Sequence, residues 1–197
     1  MISHINLLPG DYYTQRNNKL SPDVACMPTA RVMFYRGNGI KYTNPSEYAD
    51  DDYFMHSLRT PEARYYAKRK YPNIVKAGYP PNEIHGMYHS WLDSLVVGRR
   101  VSDFRTDLTW DNYLDRILAG QVIMTSGRFG SLDGHAVVMI GVVSSSLGPC
   151  LVLADPWGDY RTGYKERGGY AINMSREDFE ACIKPLDSNG KWGHVLI

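Results

Sequence analysis

The sequence of 197 residues contains four side chains that could together perform acyl transfer, namely Gln15, Cys26, His135 and Asp155. A cysteine thiolate can attack an amide carbonyl once a histidine has taken its proton. A carboxylate can hold that histidine in the required orientation. A glutamine amide can donate a hydrogen bond to the oxyanion that forms during the attack. Each residue type is common, so the predicted structural position decides which of them are candidates.

Cys26 lies where the sequence pattern predicts the start of a helix that runs to about Arg36 and stops at residues 37–39, Gly-Asn-Gly. The positive end of a helix dipole favours a thiolate, so a cysteine at this position is a candidate nucleophile. The alternative is a structural thiol. Cys150 and Cys182 are predicted to be buried fillers. The odd number of three cysteines favours reduced thiols over a disulfide framework.

His135 and Asp155 are predicted to lie at the ends of neighbouring strands. His135 opens the segment 135–143, which is apolar on both faces and therefore typical of a central, rigid strand. Asp155 follows the buried strand 150–154, where its carboxylate could accept a hydrogen bond from the histidine. The alternatives are a histidine that only ends a strand and an Asp-Pro-x-Gly sequence at 155–158 that only forms a type I turn.

The functional prediction depends on the order of these residues along the chain more than on any single residue. Gln15 precedes Cys26 by 11 positions, in a polar stretch that alone would be interpreted as a surface loop. The surrounding stretches are Tyr-Thr-Gln-Arg-Asn-Asn at 13–18, Cys-Met-Pro-Thr-Ala at 26–30, Gly-His-Ala-Val-Val-Met-Ile-Gly at 134–141 and Asp-Pro-Trp-Gly at 155–158.

These stretches resemble papain-like cysteine peptidases, in particular the branch related to bacteriocin leader-processing peptidases and their stand-alone phage and bacterial relatives. The segment 110–121 also resembles the helix that leads into the Gly-x-Pro-Val strand of that family, with Gln121 in place of the proline. The resemblance covers about residues 12–39 and 109–183.

The resemblance implies that Cys26 is the nucleophile, that His135 is its base and that Asp155 orients the histidine. It implies that Gln15 binds the oxyanion and that no metal or cofactor is needed. The chain lacks the Cys-Gly-(Ser/Ala)-Cys-(Trp/Tyr) signature of true papains. That difference argues against an ordinary protein-digesting role, but it does not affect the triad chemistry.

A zinc site is the competing interpretation of two other histidines. His85 and His89 lie four positions apart on a predicted helix, and Asp93 could be a third ligand at helical spacing. The zincin pattern requires a glutamate directly after the first histidine, where this sequence has Gly86. We therefore interpret the pair as structural or surface histidines and predict no metal site.

The pattern of elements is typical of an α+β fold, with helices first and a mostly antiparallel sheet later. An apolar stripe predicts a helix over 82–97, and Thr109 can cap another helix that ends at Gly120. The predicted core face of that helix is Trp110, Tyr113, Leu114, Ile117 and Leu118. Ser175 and Asp178 indicate a capping box for a helix through Cys182. The predicted strands are 121–125, 135–143, 150–154, 170–173 and 194–197.

We predict a single papain-like domain over residues 1–197, with a mostly helical insertion at about 40–107. The insertion is polar and rich in tyrosine, and it is expected to form one wall of the substrate cleft because long insertions are usually functional. The acidic run at 50–52 is predicted to be a solvated helix start or loop rather than a cation site, since the EF-hand spacing is missing.

Composition excludes several classes of protein. The formal net charge of +1 gives no reason to expect a nucleic-acid partner, and the 43% hydrophobic content is that of a globular chain. No stretch approaches the roughly 18 apolar residues of a membrane span, so no membrane partner is expected. The amino terminus does not resemble a signal peptide, which predicts a protein that is cytoplasmic as synthesised.

Three functions follow from these patterns. The first is a peptidoglycan-cleaving endopeptidase or amidase of the phage endolysin type, which would reach the cell wall through a separate pore. The second is an intracellular processing protease or isopeptidase acting on a peptide or conjugate. The third is a non-enzymatic binding protein on a degenerate peptidase fold, and the intact set of four residues argues against it. The expected partner is therefore a peptide or peptidoglycan substrate.

Overall fold

The computed structural model describes residues 3–70, 90–146, 148–183, 185–187 and 190–197, and it confirms the α+β class. The helices are α1 (Cys26–Gly37), α2 (Asp50–Leu58), α3 (Pro61–Lys70), α4 (Trp110–Leu118) and α5 (Arg176–Cys182). The strands are β1 (Ser3–Ile5), β2 (Ser102–Leu108), β3 (Ile123–Phe129), β4 (Leu132–Ser145), β5 (Gly148–Ala154), β6 (Ile172–Met174), β7 (Pro185–Asp187) and β8 (Gly190–Leu196). In the described part of the chain, no helix combines the length and apolar character needed to cross a membrane.

The strands form one antiparallel sheet in the order β2-β8-β3-β4-β5-β6, with β1 paired to β4 and β7 paired to β8. Each of the five predicted strands overlaps an observed one, whereas β1, β2 and β7 were not predicted. β2 lies at the end of the interval 40–107, which was predicted to be mostly helical. Its sequence is polar and it pairs with β8 at the far end of the chain, so local periodicity does not reveal it.

The central strands are buried on both faces, as their apolar sequence predicts, because helices cover both sides of the sheet. Ala136, Val138 and Ile140 of β4 belong to the core cluster that contains α1. The alternate residues, Val137 and Met139, belong to the cluster that contains α4 and α5. Successive side chains of a strand point to opposite faces, so β4 is fixed from both sides. It therefore provides a rigid support for the residues at its beginning.

Helices α4 and α5 begin at capping boxes, whereas α1 begins without a side-chain cap. Helix α1 begins at Cys26 and ends at Gly37, one residue beyond the prediction. Thr109 caps α4 through a capping box with Asn112. Ser175 caps α5 in the same way, as the sequence predicts.

Three predictions of burial were wrong. Leu118 is 49% exposed, because the packed face of α4 follows Trp110, Tyr113 and Ile117 and the next residue points about 100° further around the helix axis. Cys150 and Cys182 are only partly buried. Cys150 follows the exposed start of β5, and Cys182 is the last residue of α5.

Half of the predicted helix over 82–97 lies outside the described residues, and so do His85 and His89. The described remainder is helical at 90–92 and continues as a π-helical turn over Asp93–Val97.

Asp93, the candidate third zinc ligand, is fully buried and forms an ion pair with Arg31 of α1. Its carboxylate also accepts hydrogen bonds from the hydroxyl of Tyr35 (2.7 Å) and from the backbone N–H of Ser102 (3.0 Å). Both oxygens are therefore engaged in joining α1 to the start of β2. A carboxylate in such a pair is not available as a metal ligand.

The acidic run at the start of α2 is largely buried, which corrects the prediction that it is solvated. Asp51 is 2% exposed and Asp52 is 1% exposed. Asp51 Oδ2 accepts hydrogen bonds from Asn18 Nδ2 (3.1 Å) and from Thr29 Oγ1 of α1 (3.3 Å). Asp52 Oδ1 accepts one from the backbone N–H of Lys19 (2.7 Å). Helix α2 thereby anchors the segment that leads into α1, through partners that are distant in the sequence.

Asp52→Ala should lower the free energy of unfolding by about 1.5–3 kcal/mol, because the backbone N–H groups of Lys19 and Leu20 lose a charged acceptor that is itself buried. Urea denaturation measures this change. The matched control is Asp107→Ala, whose side chain is 58% exposed in an ion pair with Arg105 and should contribute about 0–1 kcal/mol. Equal losses in both variants would contradict the anchoring role.

Candidate active site

Cys26 is the first residue of α1 and is partly exposed. The preceding Ala25 provides no side-chain cap, so the N–H groups of the first turn have no side-chain acceptor there. The thiol interacts with the ring of His135 and with the backbone N–H of Ala136. Helix α1 therefore carries the cysteine to β4, next to the histidine that the sequence analysis singled out.

His135 is 5% exposed, and its Nε2 lies 2.6 Å from Oδ1 of the fully buried Asp155. The two residues meet because β4 and β5 are adjacent and antiparallel, with Val138 opposite Ala154. Since Nε2 faces Asp155, Nδ1 is the ring nitrogen left for the Cys26 thiol. The predicted contact between the His135 imidazole and the Asp155 carboxylate is confirmed.

The carboxylate of Asp155 also shapes the turn that follows β5. The same Oδ1 that faces His135 accepts a hydrogen bond from the backbone N–H of Trp157 (2.8 Å). This contact two residues along the chain is the usual geometry of an aspartate-initiated turn. The turn and the histidine contact, which were alternatives in the sequence, occur together and hold the carboxylate from two sides.

The pKa values of the pair shift in opposite directions. Burial lowers the pKa of His135, but the hydrogen bonds and charges of Asp155 and Cys26 outweigh it and raise the pKa from its ordinary 6.5 to about 9. Burial raises the pKa of the Cys26 thiol, but the hydrogen bond and charge of His135 outweigh it, so that the pKa is lowered. Both shifts favour a thiolate–imidazolium pair near neutral pH.

Aromatic rings enclose the imidazole. Phe129 and Tyr164 stand edge-on to His135, with ring centroids 6.0 Å and 6.2 Å from that of the imidazole. The hydroxyl of Tyr164 lies 3.4 Å from Oδ2 of Asp155, the carboxylate oxygen that does not face His135. The sequence analysis missed Tyr164, because it lies beyond the turn in a segment without a recognisable pattern.

Gln15 is 2% exposed and belongs to the 3-10 turn Gln15–Asn17, so the interpretation as a surface loop does not hold. Its Nε2 donates to the carbonyl of Pro22 (2.7 Å), and its backbone N–H donates to the carbonyl of Pro156 (3.0 Å). Its Oε1 is buried and has no hydrogen-bond partner among the described residues. Gln15 therefore joins the segment that enters α1 to the turn that follows β5.

Tyr12 also holds Asp155 in place, and the sequence analysis did not identify it. Its hydroxyl donates to the backbone carbonyl of Asp155 (2.9 Å) and accepts from the N–H of Gly169 (3.2 Å). A Cβ atom on Gly169 would lie 2.0 Å from that same carbonyl, so glycine is required for the close approach. The Gly-Gly pair at 168–169 is the local signal that could have indicated this contact.

The other reactive side chains in the described part of the chain do not form a second site of this kind. Cys150 and Cys182 are free thiols. Burial and the nearby charge of Asp178 raise the pKa of Cys182, which makes it less reactive than Cys26. Among the described residues, no group of three or more histidine, cysteine, aspartate or glutamate side chains is arranged to hold a metal ion.

Asp155→Asn should lower the pKa of His135 from about 9, since the Asp155 hydrogen bond is the largest influence that raises it. The raised pKa makes a contribution to stability that is complete below about pH 6.5 and is lost as the pH rises through about 9. The variant should lose much of that contribution. NMR titration of the imidazole measures the pKa, and Asp159→Asn is the matched control. An unchanged His135 pKa in Asp155→Asn would contradict the assignment.

Comparison with known proteins finds little similarity in sequence. No protein-family profile matches the chain, and no curated protein matches it. Among solved structures, the chain is similar to one from a study of antibody cross-reactivity between the mite allergens Blo t 1 and Der p 1. The two share 13% identity over 98% of this chain and 68% of that chain, with a TM-score of 0.43. A similarity at this level does not by itself establish a shared function.

Proposed function

We propose that this protein is a cysteine-dependent amide hydrolase in which Cys26 is the nucleophile, His135 its base and Asp155 the orienting residue. The observation that carries the proposal is the continuous contact from thiol to imidazole to carboxylate, with 2.6 Å between His135 and Asp155. The opposite pKa shifts of the cysteine and the histidine support the same assignment. A positioned nucleophile, base and orienting group is the arrangement that covalent acyl transfer requires.

In the proposed reaction, the Cys26 thiolate attacks an amide carbonyl and forms a C–S bond. The negative charge on the carbonyl oxygen is held by the free Nε2–H of Gln15 and the backbone N–H of Cys26. As the intermediate collapses, the C–N bond breaks and the imidazolium of His135 gives its proton to the leaving amine. The neutral imidazole then takes a proton from water, which attacks the thioester and releases the acid and the thiol.

We propose the peptide part of peptidoglycan as the substrate, cut by an endopeptidase or amidase of the phage endolysin type that reaches the wall through a separate pore. The resemblance of the motifs to stand-alone phage and bacterial peptidases supports this choice. The hydroxyls of Tyr12 and Tyr164 contact Asp155, and the Tyr164 ring stands beside His135, so aromatic side chains lie at the site, which suits short peptides tethered to a glycan. The contacts of Asp51 and Asp52 with the segment before α1 support the interval 40–107 as one wall of the cleft.

Alkylation tests the hydrolase proposal without a substrate. Iodoacetamide at mild pH should modify Cys26 before Cys150 and Cys182, because a lowered pKa provides more of the reactive thiolate. Peptide mapping by mass spectrometry gives the order of modification. Modification of Cys150 first, with Cys26 protected, would show that Cys26 is not an activated nucleophile.

The substrate proposal is tested on isolated bacterial walls. The protein should clear a turbid suspension of walls and generate new amine termini, whereas Cys26→Ala should not. Cys182→Ala is the matched control and should retain activity. Intact walls together with cleavage of a peptide or conjugate would indicate an intracellular processing protease or isopeptidase. If neither is cut, the remaining interpretation is a non-enzymatic binding protein on a peptidase fold.

A further inference from the structure

Arg16 follows Gln15 in the same 3-10 turn and is half-buried against the turn after β5. Its guanidinium carbon lies 4.0 Å from the centroid of the Trp157 ring, and its Nε donates to the Trp157 carbonyl (2.6 Å). Stacking and the hydrogen bond together fix the plane and the position of the guanidinium group. Such a cation is already ordered before any ligand arrives, so binding costs it little conformational entropy.

The terminal nitrogens of Arg16 are not used by the rest of the described chain. In the described ranges, five other arginines form ion pairs with carboxylates, namely Arg31, Arg36, Arg100, Arg105 and Arg161. Among the described residues, no carboxylate pairs with Arg16, and its side-chain hydrogen bond to Trp157 occupies only Nε. Two parallel N–H donors therefore remain, in the fork that binds a carboxylate through both oxygens.

The contacts of Arg16 indicate which side of the scissile amide bond it would face. His135 must protonate the leaving amine, so the leaving group binds next to the histidine. The ring of Trp157 stacks on Arg16, and the backbone N–H of Trp157 donates to the carboxylate of Asp155 that faces His135. Gln15, the neighbour of Arg16 in the chain, is the proposed oxyanion donor. Arg16 is thus one residue along the chain from the proposed oxyanion donor, and it contacts the residue whose backbone holds the Asp155 carboxylate.

We propose that Arg16 is a specificity-determining residue that binds a carboxylate on the leaving-group side of the scissile amide. This inference rests on the proposed function, and it narrows the substrate class to peptides with an acidic side chain or a free terminal carboxylate within one or two residues after the cut. Such a carboxylate would pair with Nη1 and Nη2 of Arg16, while the Trp157 ring holds the guanidinium plane from one face.

Cleavage of a mixed peptide library that contains glutamate and glutamine in equal numbers tests the inference. Sequencing of the products by mass spectrometry should show acidic residues about tenfold enriched over their amides at the first two positions after the cut. A preference that appears only with free, and not with amidated, carboxyl termini would identify the terminal carboxylate as the group bound. Arg16→Gln should abolish the preference, and the matched control Arg105→Gln, on the edge strand β2, should retain it. An unchanged preference in Arg16→Gln would overturn the inference.

A second measurement needs neither a known substrate nor turnover. Iodoacetate carries a carboxylate and iodoacetamide does not, so the ratio of their rates of reaction with Cys26 reports on a cation beside the thiol. Arg16→Gln should lower this ratio at least threefold, and Arg105→Gln should leave it unchanged. A ratio that does not change in Arg16→Gln contradicts the carboxylate site. Failure of both reagents to label Cys26 would instead overturn the proposed function itself.

Discussion

Replacing His135 with alanine should reduce amide hydrolysis as severely as replacing Cys26, by on the order of a million-fold in turnover, because nucleophile and base act as a unit. Without the imidazole, the Cys26 pKa loses the hydrogen bond and the charge that lower it, and burial would then raise that pKa. The leaving amine would also lack a proton donor. Turnover of the substrate found with the unmodified protein measures the loss.

The control for this prediction is another histidine of the same chain. His56 lies on α2, where it is exposed and stacks on Tyr48 with ring centroids 6.3 Å apart. His56→Ala should therefore retain activity. Added imidazole should partly restore His135→Ala, which separates a missing base from a misfolded site. A His135→Ala protein with full activity would show that Cys26 is activated by another group.

The sequence allowed the prediction of those parts of the site that local patterns determine. The helical spacing of apolar residues begins at Cys26, and Gly37 and the residues after it end the helix about three turns later. His135 and Asp155 meet because two apolar runs form adjacent antiparallel strands. Strand β4 begins at Leu132, so His135 lies inside that strand and does not open it as predicted. Each of these inferences needs only the period of a strand or helix and its boundary signals.

The parts that were missed depend on contacts between distant segments. The burial of Asp51 and Asp52 depends on Asn18, Lys19 and Thr29, which no local rule connects with α2. An acidic run at a helix start is usually solvated, and here the insertion packs it against the amino-terminal segment. The interval 40–107 is therefore joined to the segment that leads to Cys26 instead of only covering the sheet.

The contacts that hold Asp155 in place show the same limit of sequence-based prediction at the active site. Tyr12 and Gly169 are 157 residues apart in the sequence and meet at one backbone carbonyl. Tyr164 approaches the carboxylate from a segment in which its own backbone has φ 64°, a conformation that a tyrosine rarely adopts. Neither contact leaves a periodic pattern, so only the tertiary structure reveals that Asp155 is held from several directions.

Gln15→Ala should reduce turnover about a hundred- to a thousand-fold, the loss that follows the removal of one oxyanion donor in a well-studied protease. The amide has two N–H bonds, and one donates to the Pro22 carbonyl at 2.7 Å. The other is the proposed oxyanion donor. Because the oxyanion exists only during the reaction, the loss should appear in kcat, with KM nearly unchanged.

The Gln15 side chain also contributes to the fold, so activity and stability must be measured together. Loss of its single hydrogen bond to Pro22 should lower the free energy of unfolding by about 0.5–1.5 kcal/mol, a small shift in melting temperature. The matched control is Gln121→Ala, because that amide oxygen accepts from Arg116 at the end of α4 and should affect stability without affecting kcat. A Gln15→Ala protein that is less stable but fully active would reduce Gln15 to a structural link between the segment entering α1 and the turn after β5.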